Sequence, residues 1–141
     1  TFYDAVKLLN SYNIEVVAHI MCGLPNETNQ DLLDTVNCIN SLPVSGIKIH
    51  SCYILKDTVL NNMYQAGTYT PLEFDKYMEK LILILTHVRP DIIIHRLSAD
   101  APKDLLVAPE WNVHKKWVLN GIDKELKERN LYQGIYYKST I

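Results

Sequence analysis

Apolar residues recur at helical spacing over residues 2 to 12, at Phe2, Ala5, Val6, Leu8 and Leu9, and Asn13 breaks the pattern. Ile14 to Met21 then reads as a buried strand. Thr28 with Asp31 forms a capping signature, and Leu32, Leu33, Val36 and Ile39 make the apolar stripe of a second helix that stops before Pro43. A second strand is predicted over Gly46 to Leu55. Strict alternation puts Lys48, His50, Cys52 and Ile54 on one face and Ile47, Ile49, Ser51, Tyr53 and Leu55 on the other.

A short helix over Val59 to Gln65 is predicted to end at Gly67, and Thr70-Pro71-Leu72-Glu73 has the form of a capping box with proline at the first helical position. The helix it would open runs through Phe74, Tyr77, Met78, Leu81, Ile82 and Leu85 towards Pro90. Asp91 to His95 follows as a third buried strand. Residues Leu105 to Trp111 read as irregular, and a closing helix over Asn112 to Arg129 carries Trp117, Val118, Ile122 and Leu126 on its apolar side. The tail, Tyr132 to Tyr137, reads as surface-packed coil or a short strand.

Helices alternating with short apolar strands imply an α/β fold with three parallel strands and flanking helices. Three strands are too few for a closed barrel, so the pattern fits the later part of a larger βα protein. The 141 residues suffice for one core, and 48% hydrophobic with 21% charged residues is ordinary globular composition. A formal net charge of -2 argues against a dedicated polyanion-binding surface. There is no apolar run of membrane-spanning length and no signal segment at the N-terminus, so a cytoplasmic location is expected. Cys22, Cys38 and Cys52 are an odd number at wide spacing, suited to reduced thiols.

The chemistry concentrates where strands end. Val16 to Thr28 runs from strand through Gly23-Leu24-Pro25 into a helix start, the corner where βα folds place ligands. Each strand also carries a histidine: His19, His50 and His95. Parallel strands present equivalent ends on one edge, so the three share a site or each is a core histidine bonded to nearby backbone. With zinc or iron they would make a βα hydrolase, although His50 and Cys52 lack standard metal spacing. Lys48 needs a partner, either a ligand phosphate or carboxylate or an internal acid such as Glu27. Arg96 either clamps such an anion or pairs with Asp100. Lys115, Lys116, Lys124, Lys127 and Arg129 with Trp111 and Trp117 make a helical face that either meets RNA or is merely solvated.

Gly23-Leu24-Pro25-Asn26-Glu27-Thr28 resembles the Gly-Leu-Pro-Gly-Glu-Thr corner of radical S-adenosylmethionine (SAM) proteins, specifically the YhcC/YtqA-like group related to the radical domain of the Elongator catalytic subunit. Gly46-Ile47-Lys48-Ile49-His50 with Leu55-Lys56-Asp57-Thr58, and Ile94 to Asp100, resemble the group's following strands. Pro109-x-Trp111, Lys116, Ile122 to Leu126 and Gln133-Gly134 resemble its C-terminal end. Asn26 replaces the group's glycine, and asparagine tolerates positive φ better than most residues.

The resemblance implies the C-terminal part of a partial (βα)6 TIM-like radical SAM barrel, with βα units over residues 1–104 and a helical extension over 105–141. It implies SAM contacts at Gly23, Leu24, Pro25, Glu27, Thr28, Lys48 and His50, and substrate contacts at His19, His95, Arg96 and Asp100. The family's four-iron four-sulfur cluster is held by Cys-x3-Cys-x2-Cys, a spacing absent from this sequence. The whole protein would cleave SAM reductively and abstract hydrogen by a radical route, with tRNA wobble uridine as the implied substrate. This chain by itself is expected to be inactive, its partner the N-terminal half of the barrel. The rival is a non-catalytic module that dimerises through an exposed sheet edge near Ile14 to Met21.

Overall fold

Thr1 caps α1 (Phe2–Ser11) through a reciprocal box with Asp4, and Asn13, at φ 57°, reverses the chain behind it. In the computed structural model, which describes residues 1–139, α1 buries only Val6; Phe2, Leu8 and Leu9 face outward. The strand that follows is shorter than the apolar run suggests. β1 (Val17–Cys22) begins after exposed Ile14 and alternates regularly, with Ala18, Ile20 and Cys22 buried. Thr28 and Asp31 cap α2 (Asn29–Asn40) as expected, and Leu32, Val36 and Ile39 point into the core.

β2 (Gly46–Ser51) ends four residues before the predicted limit. The chain leaves the sheet at Cys52, and β3 (Ile54–Leu55) pairs antiparallel with β5 (Leu106–Ala108), a strand the pattern did not reveal. Alternation therefore fails at that point: Lys48 and His50 stay half-buried on one sheet face, while Cys52 and Ile54 are buried with Tyr69 and Ala108 in a small second core. Ile54 finds apolar cover only by leaving the sheet.

α3 (Val59–Gln65) has the predicted limits, with the Thr58 hydroxyl accepting from the Asn61 N–H. α4 (Phe74–His87) does not begin at Thr70-Pro71-Leu72-Glu73; its N-cap is Glu73, with no side-chain cap bond. Tertiary contacts hold the preceding residues extended. The Tyr69 hydroxyl donates to the Gly23 carbonyl at 2.7 Å, and Trp111 Nε1 donates to the Leu72 carbonyl at 2.9 Å.

β4 (Ile93–Arg96) is not the buried strand expected, since Ile93 is 60% exposed. The three long strands lie parallel in the order β1-β2-β4, and α2 and α4 cover one side. Met21, His19, Ile93 and His95 are exposed on the strands, so the opposite side is open. Such one-sided cover is unusual for parallel strands, which normally bury both faces. A short 3-10 turn (Glu110–Val113) precedes α5 (Lys115–Glu128), which starts later than predicted. Val118 and Ile122 face the core, whereas Trp117, one helical step round, is 53% exposed and stacks on His114. The tail packs as coil, with Gly134 N–H donating to the Leu85 carbonyl and Tyr136 N–H to that of Thr86. Among the described residues no helix is long and apolar enough to cross a membrane.

Candidate functional site

Gly23, at φ +98°, turns the chain off β1, and Asn26, at φ 62°, completes the turn in the left-handed region. Both polar groups of Gly23 are used inside the protein: its N–H donates to Glu27 Oε2 at 2.7 Å, and its carbonyl accepts from Tyr69. A Cβ at Gly23 would meet Leu72 Cδ1 at 3.0 Å. Thr28 is likewise committed to capping α2. Gly23, Glu27 and Thr28 thus build the corner, while Leu24 and Pro25 form its outer surface. With Met21, His50, Ser51 and Cys52 they border a mostly apolar cavity of about 400 Å³ at the C-terminal ends of β1 and β2. Gly23→Ala adds left-handed strain and crowds Leu72, so it is expected to destabilise folding by about 2 kcal/mol. Urea unfolding of the purified variant checks this; a change under about 0.5 kcal/mol would show that the corner relaxes freely.

Burial pushes the Glu27 carboxyl up, partly offset by the Gly23 N–H. Burial likewise raises the Cys22 thiol to about 12 and raises that of Cys52, so neither is a ready thiolate at neutral pH.

On the open side of the sheet, β1 and β2 pair His19 with Lys48, and a register shift between Ile47 and Lys48 sets Arg96 of β4 directly opposite Lys48. His50 Nε2 lies 3.1 Å from His19 Nδ1, with the rings stacked at 5.0 Å. Burial lowers the His50 pKa below 6.5, and His19, Arg96 and Lys48 lower it further. His95 does not join this pair. Its ring lies over Gly46, where an added Cβ would come within 2.5 Å of Nε2, and Gly46 is four strand residues, about 13 Å, from His50.

The histidine metal site is therefore not assembled, and among the described residues no three His, Cys, Asp or Glu side chains are placed to hold a metal ion. Glu27 does not partner Lys48, and Asp100 pairs with Lys115 at 3.4 Å instead of Arg96. The basic residues of α5 are mostly neutralised too: Lys127 by Asp123, Lys124 by Glu128, and Arg129 by Glu79 and Glu125. The sequence reading missed the buried link in which Ser51 Oγ donates to Asn112 Oδ1 and Asn112 Nδ2 donates to the Ala99 carbonyl. It ties the end of β2 to the loop after β4, and no local pattern announces it.

Residues 44–128, more than half of the chain, match the Radical_SAM C-terminal domain family. The chain belongs to this family. YtqA of Bacillus subtilis is 35% identical over 97% of the chain, and YhcC of Escherichia coli K12 is 28% identical over 92%. The chain spans 42% of the length of each. The solved structure of Methanocaldococcus infernus Elp3 with an N-terminal deletion superposes with a TM-score of 0.75 at 19% identity, covering 92% of this chain and 31% of that one. The fold is thus that of the radical SAM C-terminal region, and the chain falls in a YhcC-like group related to Elp3.

Proposed function

We propose that the chain supplies the C-terminal βα units, residues 1–104, and the helical extension, 105–141, of a radical SAM enzyme. The carrying observation is the open face of a parallel sheet, bearing His19, Lys48, His50 and Arg96 beside exposed Met21 and Ile93, with helices covering its other side only. Such a face suits the interior of a barrel completed by the rest of the polypeptide. Among the described residues no β-strand pairs with the outer edge of β1, which is where we place that partner, and where a second copy of the chain would also add.

The three cysteines do not fit a cluster, since Cys22 and Cys52 are buried and Cys38 is exposed elsewhere. Its ligands are assigned to the remainder of the protein. The cavity beside Leu24, Pro25 and His50 fits part of a nucleoside-sized cofactor, having an apolar wall and a volume in the range of small-molecule sites. Bound SAM, given one electron by the cluster held in the remainder of the protein, would supply hydrogen-atom abstraction. Here Leu24 and Pro25 would exclude water, Glu27 would hold the corner through Gly23, His50 and Lys48 would stand on the cofactor side, and His19 and Arg96 would face the substrate. Kinship with the Elongator catalytic subunit favours tRNA wobble uridine as that substrate, in the cytoplasm.

Anaerobic iron-sulfide reconstitution tests the reading. The 141-residue chain is expected to give no stable four-iron spectrum and no SAM cleavage, whereas the longer polypeptide carrying a Cys-x3-Cys-x2-Cys loop gives both. A stable cluster on the chain alone, or none on the longer form, would overturn it.

A further inference from the structure

Two basic side chains stand side by side on the open face. Lys48 and Arg96 are paired across β2 and β4, both half-buried, and among the described residues neither has a carboxylate partner. The two acids best placed in sequence to neutralise them are engaged elsewhere, Glu27 with the Gly23 N–H and Asp100 with Lys115. β1, β2 and β4 contain no Asp or Glu at all. Two imidazoles, His19 and His50, lie on the same face within mutual hydrogen-bond distance. Groups facing His50 are thus His19, Lys48 and Arg96, with no acid to offset them.

Within this chain nothing among the described residues compensates these like charges, and an anion bound between them would relieve their repulsion. The guanidinium offers a planar fork and the ammonium a mobile point charge, the usual pair for phosphate oxygens. Two fixed positive charges match a dianion better than a carboxylate. We infer that Lys48 and Arg96, with His50 as a further donor, form a binding site for a phosphate group. Assigning that phosphate to the substrate rests on the radical SAM reading above; the site itself does not.

Inorganic phosphate is the probe, titrated into the 141-residue chain with sodium chloride at matched ionic strength and sodium acetate as comparison arms. Imidazole NMR signals report the response. Phosphate is expected to saturate, shift the His50 signals and raise the His50 titration midpoint, with acetate at least several-fold weaker. Lys48→Met and Arg96→Met should each weaken phosphate binding about tenfold. Each variant should keep the dispersed amide spectrum of the parent, which shows that it is folded, and should without phosphate raise the His50 midpoint by removing a nearby positive charge; Lys48→Arg should retain binding.

A phosphate response no greater than that to chloride, a Lys48→Met and Arg96→Met double variant that responds like the parent, or acetate equal to phosphate would overturn the assignment. None of these measurements needs a cluster or SAM. Failure of the phosphate site therefore leaves the enzyme reading intact, and failure of reconstitution leaves the phosphate site intact.

Discussion

Tyr77→Ala is expected to destabilise the fold by about 4 kcal/mol and to lower the melting temperature by roughly 10 to 15 °C. The ring is fully buried on α4, packs against Trp111 at 4.9 Å between centroids, and donates its hydroxyl to the Leu97 carbonyl at 2.7 Å. Removal leaves a ring-sized cavity and a carbonyl without its donor. Burial raises the Tyr77 pKa well above 10, so the hydroxyl remains a donor throughout the neutral range. Tyr77→Phe separates the two effects. It keeps the packing and loses the hydrogen bond, and should cost about 1 to 2 kcal/mol. Because Leu97 begins the loop that carries Ser98, Ala99 and Asp100, both variants should loosen the wall beside Arg96 as well as the core. Denaturant unfolding followed by circular dichroism measures each value; a loss below about 1 kcal/mol for Tyr77→Ala would show that the core recloses around the gap.

Arg89→Met should cost about 3 kcal/mol, through a quite different mechanism. The guanidinium donates from Nη1 to the carbonyls of Asn40 and Leu42 and from Nη2 to that of Val44, at 2.8, 3.0 and 2.9 Å. It thereby holds the whole connection from α2 into β2. Asn40 returns the contact, its Oδ1 accepting from the Arg89 N–H at 2.8 Å. Methionine preserves the aliphatic stem but leaves three carbonyls to water or to nothing. Arg89→Lys should restore less than half of the loss, since an ammonium cannot span three acceptors in fixed directions. Amide exchange over residues 41–46 should accelerate in both variants. Unchanged exchange there would mean that the connection is held by its own backbone.

Elements whose cause is local could be read from the chain. The Thr28 and Asp31 cap, the limits of α3, the stripe of α2 and the left-handed tolerance of Asn26 all depend on residues within a few positions of one another. The Thr70 to Glu73 box carries an equally good local signal and still fails. Leu72 and Tyr69 gain more from Trp111 and the Gly23 corner than a longer α4 would return. Trp117 shows the same limit from the other side: apolar character alone does not say which of two adjacent helical positions meets the core.

The open face was legible only in part. Lys48, His50 and Arg96 stand out as candidates by their types on strands; that Arg96, rather than His95, stands beside Lys48 comes from a one-residue register shift between β2 and β4. Family membership, the order of helices and strands, and the absence of a three-cysteine cluster loop are properties of residue identity and spacing, so they needed no coordinates. Which acids are already taken, which histidines meet and where an uncompensated pair of cations is left depend on side chains far apart in sequence competing for the same partners. Those competitions are settled by packing, because each donor and each volume of space can be used once.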